Sequence, residues 1–178
     1  MLREVEFKEL QFNPYNMFWK QWAAVMAGNE ETGANAMTIA WGMMGSLWDF
    51  KNSAIAAVYV RESRYTKQFM DREPYFTINV LPAELRKTHG ILGGKSGRDM
   101  DKFAAAVLTP VYENGYCYIA EAEAVYVCRK LYAQEIKEEL FTDPTVVERN
   151  YANHDMHTQY MGEIVKVLMR SEKGADGK

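Results

Sequence analysis

The chain has few of the residues that build disulfide-bonded or metal-bound scaffolds. Of its 178 residues only two are cysteine, Cys117 and Cys128, and only three are histidine. The two cysteines form no CxxC pair and no Cys/His cluster of the kind that binds zinc. Two isolated thiols do not make a disulfide framework either, so we expect a protein of the reducing cytoplasm.

Long apolar runs and a strong net charge are also lacking. No apolar run approaches the roughly 20 residues that a membrane-spanning helix needs. The charged, alternating N-terminus at residues 1–7 is unlike a signal peptide. The net charge is -3 at pH 7, whereas nucleic-acid-binding proteins normally carry a basic face. The sequence therefore predicts no membrane insertion, no secretion and no nucleic-acid partner.

Several motifs of catalysis and nucleotide binding are absent. There is no Gly-x-Ser-x-Gly motif and no Ser-His-Asp signature of a nucleophile. Residues 93–96 read Gly-Gly-Lys-Ser, but the first glycine of a phosphate-binding P-loop would fall on His89. His154 and His157 lack a third metal ligand, so we interpret His157 as a cofactor partner or a structural hydrogen-bonding residue. No metal site and no catalytic residue are predicted.

Short apolar segments separated by turn residues dominate the sequence. Hydrophobic residues make up 48%, charged residues 25% and aromatic residues 13%, which is typical of a soluble protein rich in β-strands. The predicted strands cover an edge segment within residues 1–12, a hairpin over 20–44 (strands 18–27 and 35–44, turn 28–33), and residues 54–60, 75–81, 110–118, 121–134 and 160–170. The strongest short hairpin signal is Asn114-Gly115 within residues 110–118.

Short helices are predicted between these strands. Ser63 is the candidate N-cap of a helix through Met70, and Pro82 is the first residue of a helix through His89. Further predictions are a glycine-rich loop at 90–97, a helix at 98–107, one or two short helices within 135–150, and a disordered tail at 171–178. Because hairpins outnumber helical crossovers, we expect one domain, an antiparallel sheet closed into a barrel.

Residues 35–41 carry Asn, Thr and Trp side chains beside apolar ones. Asn and Thr can hydrogen bond to the carbonyls and ring nitrogens of a planar heterocycle, and Trp41 can pack on a ring. Farther along, Arg64 and Thr66 stand at a strand-to-helix junction, where free backbone amides favour an anion. The same residues are also consistent with a core strand and an ordinary helix cap.

Residues 96–103 supply a second polar segment after the glycine-rich stretch. Ser96 and Arg98 can donate hydrogen bonds to a phosphate, and the glycines before them let the backbone approach it closely. A mobile surface loop is the alternative reading of this segment.

Five segments, taken together and in this order, resemble the flavin reductase-like family, particularly its flavoredoxin branch. They are residues 35–41 (Asn-Ala-Met-Thr-Ile-Ala-Trp), 63–66 (Ser-Arg-Tyr-Thr), 76–80 (Phe-Thr-Ile-Asn-Val), 96–103 (Ser-Gly-Arg-Asp-Met-Asp-Lys-Phe) and 157–164 (His-Thr-Gln-Tyr-Met-Gly-Glu-Ile). The resemblance implies a mainly β fold with short helices, an antiparallel FMN-binding split β-barrel of Greek-key type. It also implies a homodimer with flavin sites near the subunit interface. The chain departs from the family pattern at residues 49–52, where many relatives have a Pro-Pro pair.

The same resemblance implies a cofactor site for FMN. The residues expected around the isoalloxazine ring and the ribityl chain are Asn35, Met37, Thr38 and Trp41. Ala36 belongs to the same predicted cofactor site. Residues for the phosphate end and the polar shell around it are Ser63, Arg64, Thr66, Ser96, Arg98 and Lys102. His157 is expected to approach the flavin.

The implied function is an FMN-dependent oxidoreductase. FMN carries the redox chemistry, and the protein has to bind, orient and tune it. Electrons would pass from NAD(P)H or a redox protein to a flavin, iron or a protein acceptor, and a cation such as Lys102 or Arg98 would stabilise the anionic reduced flavin. Two alternatives stay open: a flavoredoxin-type electron carrier that does not oxidise NAD(P)H, and a non-redox barrel that binds another ligand.

Overall fold

The computed structural model describes residues 1–49 and 53–171. Two stretches lie outside these ranges. They are residues 50–52, where the sequence departs from the family pattern, and residues 172–178, which belong to the expected tail. The strands are β1 (Leu2–Val5), β2 (Ala23–Asn29), β3 (Gly33–Ile39), β4 (Gly42–Gly45), β5 (Ile55–Arg61), β6 (Tyr75–Val80), β7 (Pro110–Glu113), β8 (Tyr116–Ile119), β9 (Ala124–Glu135) and β10 (His157–Arg170). The α-helices are α1 (Thr66–Arg72), α2 (Thr88–Gly94), α3 (Lys102–Ala106) and α4 (Pro144–Asn150). Shorter turns are a π-helical turn at Asn16–Gln21 and 3-10 turns at Phe7–Glu9, Ala83–Leu85 and Glu138–Leu140.

Within the described ranges, eight strands form one sheet in which every pairing is antiparallel. The order is β3-β2-β6-β9-β10-β5-β4, and β1 also pairs with β10. The long strand β10 has β9 along one side, and along the other side it has β5 first and β1 last. Strands β7 and β8 form a separate hairpin, as Asn114-Gly115 predicted. The N-terminal segment is the edge strand that its alternation suggested.

The two faces of the sheet pack against two different apolar clusters. The inner cluster takes residues from β2, β3, β5, β6, β9 and β10, so the sheet curls around it. The outer cluster joins the other face to the β7-β8 hairpin and to α2. Strand β9 shows the division: Tyr126 and Cys128 face the inner cluster, whereas Val125 and Val127 face the outer one. Over these residues β9 is therefore buried on both faces.

The first predicted strand begins later than the sequence suggested. Residues 16–21 form the π-helical turn, and Trp22 (φ 63°) leads from it into β2. Met17 and Phe18 are both buried, whereas the next four residues are exposed. In a half-buried strand, buried and exposed side chains would alternate. The consecutive burial of Met17 and Phe18 therefore favours the helical turn.

The second predicted strand, at residues 35–44, is two strands at opposite ends of the sheet. Strand β3 pairs with β2 and ends at Ile39, and β4 begins at Gly42 and pairs with β5. Ala40 and Trp41 make the crossing between them. The apolar run is continuous in sequence because both strands contribute to the same core, so it conceals the change of partner.

The helices also differ from their predicted bounds. Helix α1 starts at Thr66 without a side-chain cap, and α2 covers Thr88–Gly94, where a loop was expected. Helix α2 tolerates its glycines because His89 and Leu92 are buried on the sheet, and such packing overrides intrinsic propensity. The helix expected at 98–107 begins only at Lys102, where Asp101 caps the amides of Phe103 and Ala104.

Candidate cofactor site

Two neighbouring cavities lie beside β3, one next to the start of α1 and the end of α2, the other next to β5 and the first residue of β10. The first, which we call the cationic cavity, has a volume of about 170 Å³. The second, which we call the Trp41 cavity, has a volume of about 180 Å³. Both are lined by Met37 and Arg64, so they adjoin at these two side chains. The two cavities therefore share part of their lining.

Most of the predicted site residues line these two cavities. The cationic cavity is lined by Met37, Ser63, Arg64, Tyr65, Thr66, Leu92, Gly94, Lys95, Ser96, Arg98 and Lys102. The Trp41 cavity is lined by Met37, Thr38, Ile39, Ala40, Trp41, Tyr59, Arg61, Arg64 and His157. Three sequence segments far apart in the chain thus line these two cavities.

Two residues of the predicted set lie elsewhere. Ala36 packs in the outer cluster on the far face of β3, because successive side chains of a strand point to opposite faces. Asn35 lies behind the cationic cavity and lines a wider groove on its outer side. From there its amide donates a 2.7 Å hydrogen bond to the Thr66 hydroxyl, so Asn35 supports a lining residue instead of lining either cavity.

Gly97 makes the position of Asn35 possible. A Cβ atom at residue 97 would lie 2.2 Å from the Asn35 side-chain oxygen and 3.0 Å from the Tyr65 ring. Only glycine allows this close approach of the 96–98 backbone to β3 and α1. The approach carries Ser96 and Arg98 to the rim of the cationic cavity.

Lys102 is the most unusual charged residue of the cationic cavity. Its side chain is almost fully buried, at 4% exposure, and its ammonium donates a 2.9 Å bond to the carbonyl of Leu92. Within residues 1–49 and 53–171, no carboxylate forms an ion pair with it. Burial, assisted by the nearby charge of Arg64, lowers the pKa of Lys102 to about 8. A buried cation of this kind is stabilised by an anion beside it.

Two arginines complete the positive lining, and both are held by backbone carbonyls. Arg64 donates a 2.9 Å bond to Gly93 O at the end of α2, and Arg98 donates a 3.3 Å bond to Ser63 O. The Arg98 guanidinium also lies over the Tyr65 ring, 4.9 Å from its centroid. Neither arginine pairs with an acidic residue in the described part of the chain. Their charges are therefore available to a ligand.

Ser63 does not act as the predicted helix cap. Its hydroxyl and its backbone amide both donate to the carboxylate of Asp155, at 2.6 and 3.0 Å. Burial would raise the pKa of Asp155, but these bonds outweigh it and hold the pKa below its usual value. The contact ties the loop after β5 to the segment before β10, and it brings Arg64 and His157 to the same side of the molecule.

His157 forms the far wall of the Trp41 cavity with Trp41. Their ring centroids are 4.6 Å apart, and the imidazole Nδ1 is 3.0 Å from the Tyr151 hydroxyl. Burial, followed by the charge of Arg61, lowers the pKa of His157 to about 4, so the imidazole is neutral at neutral pH. His154 is exposed and bonds to Glu138 instead. No cluster of metal ligands occurs among the described residues.

Several lining residues were not anticipated from the sequence. Tyr65 and Lys95 stand inside or next to the segments already singled out. Tyr59 and Arg61 are the two partly exposed, polar positions of the otherwise buried strand β5. In the sequence, Tyr59 and Arg61 stand two positions apart at the end of an apolar run. That spacing could have indicated that they share one face of the strand.

Comparison with known proteins decides the family. The model of the flavin reductase like domain matches residues 19–177 of the chain. The chain belongs to the flavin reductase-like family. No curated protein matches its sequence.

Solved structures similar to this flavin reductase-like chain include three of particular interest. The FMN-binding domain of a flavin reductase-like enzyme from Shewanella baltica OS155 has a TM-score of 0.67 at 15% identity, over 100% of this chain and 82% of that one. The flavoredoxin of Desulfovibrio vulgaris (Miyazaki F) has a TM-score of 0.65 at 22% identity, over 87% and 72%. The NADH:FAD oxidoreductase of Streptomyces globisporus C-1027 has a TM-score of 0.60 at 19% identity, over 89% and 87%.

The match to the family model confirms the family resemblance, and the similar structures confirm the split-barrel fold inferred from the sequence. At such low identity the similar structures establish the architecture alone. One further observation concerns the helices: in the described ranges none combines the length and the apolar composition needed to cross a bilayer.

Proposed function

We propose that this flavin reductase-like chain binds FMN and works as an oxidoreductase. The observation that carries the proposal is the cationic cavity, where Arg64, Arg98 and the buried Lys102 converge with no acidic residue in the lining. A phosphate is the ligand that such a lining fits, because charge-assisted bonds from several cations neutralise a dianion. Support also comes from three similar structures, two of FMN-binding proteins and one of a flavoredoxin.

In this proposal the two cavities hold the two ends of FMN. Arg64, Arg98 and Lys102 would hold the phosphate, and Thr66 would add a hydroxyl held in place by Asn35. Met37 and Trp41, which line the Trp41 cavity, would hold the ring. The residues present therefore fit the group at both ends.

When bound, FMN supplies hydride and single-electron transfer chemistry. The protein residues orient the cofactor and adjust the charge around it. The neutral imidazole of His157 and the indole of Trp41 exclude water from one wall of the ring cavity. Lys102 and Arg98, which the sequence suggested as the cations that stabilise the reduced ring, line the cationic cavity and not the Trp41 cavity. Arg64, which lines both cavities, and Arg61, on the wall of the Trp41 cavity, would instead place positive charge near the ring, which favours a cofactor that gains negative charge on reduction.

The proposed reaction passes electrons from NAD(P)H or a redox protein to a flavin, iron or a protein acceptor. The purified protein should be yellow, with the absorbance bands of FMN. Anaerobic mixing with NADH or NADPH should bleach these bands. A colourless protein that takes up no added FMN would contradict the proposal as a whole.

A flavoredoxin-type electron carrier is the second candidate. It is favoured by the similarity to two flavoredoxins, from Desulfovibrio vulgaris and Methanosarcina acetivorans. In that case the bound FMN would be reduced by dithionite or a reduced protein donor but not by NADH or NADPH. The anaerobic experiment therefore separates the two functions directly.

The proposal includes a cytoplasmic homodimer. Edge strand β4 exposes Met43, and the segment after it exposes Leu47, which leaves apolar surface near one edge of the sheet. Both cysteines are buried and free, as a reducing compartment would keep them. Light scattering after size-exclusion chromatography should give twice the chain mass of 20.5 kDa.

A further inference from the structure

The turn at residues 61–64, between β5 and α1, places two arginines at the cationic cavity. A 3.1 Å bond from the Arg64 amide to the carbonyl of Arg61 closes the turn. Arg64, its last residue, lines the cavity, and the carbonyl of Ser63 accepts a 3.3 Å bond from the guanidinium of Arg98. The spacing of Arg64 and Arg98 therefore depends on the conformation of this turn.

The sheet supports only the first half of the turn. The pairing of β5 with β10 ends at Arg61, and one further backbone bond joins the Glu62 amide to the carbonyl of Met156 at 3.0 Å. Ser63 lies beyond this pairing. Its amide and its hydroxyl both donate to the carboxylate of Asp155, at 3.0 and 2.6 Å. An acidic side chain thus holds the second half of the turn, with two charge-assisted bonds.

Asp155 lines neither cavity, although its backbone holds an arginine of the second one. The Asp155 carbonyl accepts a 2.6 Å bond from the guanidinium of Arg61, which lines the Trp41 cavity. The carbonyl of Asn150 accepts a second bond from the same guanidinium, at 3.0 Å. Because carbonyls hold Arg61, replacing the side chain of residue 155 acts mainly on the 61–64 turn.

We propose that Asp155 is a positioning residue for the phosphate of the bound flavin. Its carboxylate fixes Ser63 and thereby sets the spacing of Arg64 and Arg98, and charge-assisted bonds to a phosphate require such geometry. Asp155 is then a determinant of specificity, because it favours FMN over riboflavin without contacting either molecule. The inference rests on the proposed binding of FMN.

Two other roles of Asp155 would give different results. As a negative charge near the cationic cavity, it would oppose a phosphate, and its removal would tighten FMN binding. As a purely structural contact, it would contribute to stability, and its removal would weaken the binding of FMN and riboflavin alike. The ratio of the riboflavin Kd to the FMN Kd, which we call the phosphate preference, separates the three roles.

The experiment measures the phosphate preference by titration of flavin fluorescence in two variants of Asp155. Asp155→Ala removes both bonds to Ser63, so the preference should fall about 10-fold, the equivalent of one hydrogen bond to the phosphate. Asp155→Asn keeps an acceptor for the Ser63 amide and gains an N–H that can donate to the hydroxyl oxygen. Its preference should therefore stay within about 3-fold of wild type, because the geometry is kept although the charge is lost.

Asp143 provides the matched control. Its carboxylate also accepts bonds from the amide and the hydroxyl of a single residue, Thr145, at 3.0 and 2.8 Å. Neither Asp143 nor Thr145 lines either cavity. Asp143→Ala loses the same pair of bonds and should keep the wild-type phosphate preference.

Ser63→Ala tests the same contact from the other side. It loses only the bond from the hydroxyl, so the preference should fall by less than in Asp155→Ala. In the Asp155→Ala background it should add little further loss, and independent, additive losses would overturn the positioning role. Circular dichroism shows which variants retain the fold. If Asp155→Ala does not fold, the change in Ser63→Ala decides, and a wild-type preference there overturns the proposal.

Other results would also contradict this role of Asp155. A preference that rises in Asp155→Ala, or that stays at the wild-type value, would overturn the positioning role while leaving FMN binding itself established. An equal fall in Asp155→Ala and Asp143→Ala would show general loosening and overturn it as well. A wild-type protein that binds no flavin would overturn the proposed function, and this inference with it.

Discussion

Lys102 is an ammonium group held inside the protein with no carboxylate partner among the described residues. Its burial is costly unless a ligand supplies negative charge. The neighbouring Lys95 also lines the cationic cavity, but it is exposed. The two lysines therefore offer a matched comparison of a buried and a solvated charge at one site.

Lys102→Met should weaken FMN binding about 10- to 150-fold, since a hydrogen bond to a charged group contributes roughly 1.5–3 kcal/mol. Lys95→Met should cost about 5-fold or less, as expected of a solvated charge. Riboflavin, which has no phosphate, should bind both variants as it binds wild type. Titration of flavin fluorescence measures all six affinities. An equal loss for riboflavin and FMN would mean that Lys102 does not contact the phosphate.

The pH dependence of FMN affinity gives an independent check on the same residue. The pKa of Lys102 in the ligand-free protein is lowered to about 8, and a bound phosphate would raise it. Binding therefore takes up a proton above pH 8, and affinity should fall as the pH rises from 8 toward 10. In Lys102→Met this decline should be absent. A wild-type affinity that stays constant from pH 7 to 9.5 would contradict the assignment.

At the scale of elements, α2 shows how packing selects a helix against its own composition. Gly90 is exposed, and a Cβ atom there would meet nothing within 4 Å. At Gly93 the same atom would lie 3.2 Å from Thr38 Cβ, so the helix sits close on β3 at this residue. The sequence predicted a loop because glycines disfavour helices, and only the contact of His89 and Leu92 with the sheet reverses that preference.

Gly90→Ala should raise the free energy of unfolding by roughly 0.5–1 kcal/mol, because alanine favours the helix more than glycine does. Gly93→Ala should give less stabilisation or none, since its methyl group presses on Thr38. FMN affinity should fall in Gly93→Ala and remain unchanged in Gly90→Ala. Urea unfolding and flavin titration measure the two effects. Equal behaviour of the two variants would show that α2 does not fix the position of Thr38.

At the scale of the whole molecule, two buried neutral histidines link stability to pH. His89 and His157 both have a pKa lowered to about 4, chiefly by burial, against 6.5 for the unfolded chain. Between these values the unfolded state binds protons that the folded state does not. The folded protein is therefore expected to lose stability on acidification.

The free energy of unfolding should fall as pH decreases from about 6.5 to about 4, by up to about 1.4 kcal/mol per pH unit for each histidine. The double variant His89→Asn, His157→Asn should show a smaller slope than wild type, although its stability at pH 7 will be lower. The exposed His154 is the matched control, and His154→Asn should leave the slope nearly unchanged. Urea unfolding at pH 7, 6 and 5 measures the slopes. A double variant with the wild-type slope would contradict the prediction.

Local sequence alone determined most of the strands, their antiparallel arrangement and the polar segments from which a site could form. The strand at residues 54–60 and the Asn114-Gly115 hairpin were predicted correctly because alternation, β-branching and turn residues act over a few neighbouring positions. The capacity of Arg64 and Arg98 to bind an anion was likewise visible from their residue type. The family resemblance rested on five such segments in order, and the match to the family model confirms it.

Tertiary structure decided what depends on distant neighbours. Whether Asn35 lines a cavity or supports Thr66, whether Ser63 caps a helix or binds Asp155, and whether residues 90–94 are helical all depend on groups that are far away in the chain. The burial of Lys102 and the protonation of His89 have the same origin. Both follow from the low-dielectric surroundings and the hydrogen-bond partners that the folded chain creates around these side chains. The sequence of a single segment contains information on neither.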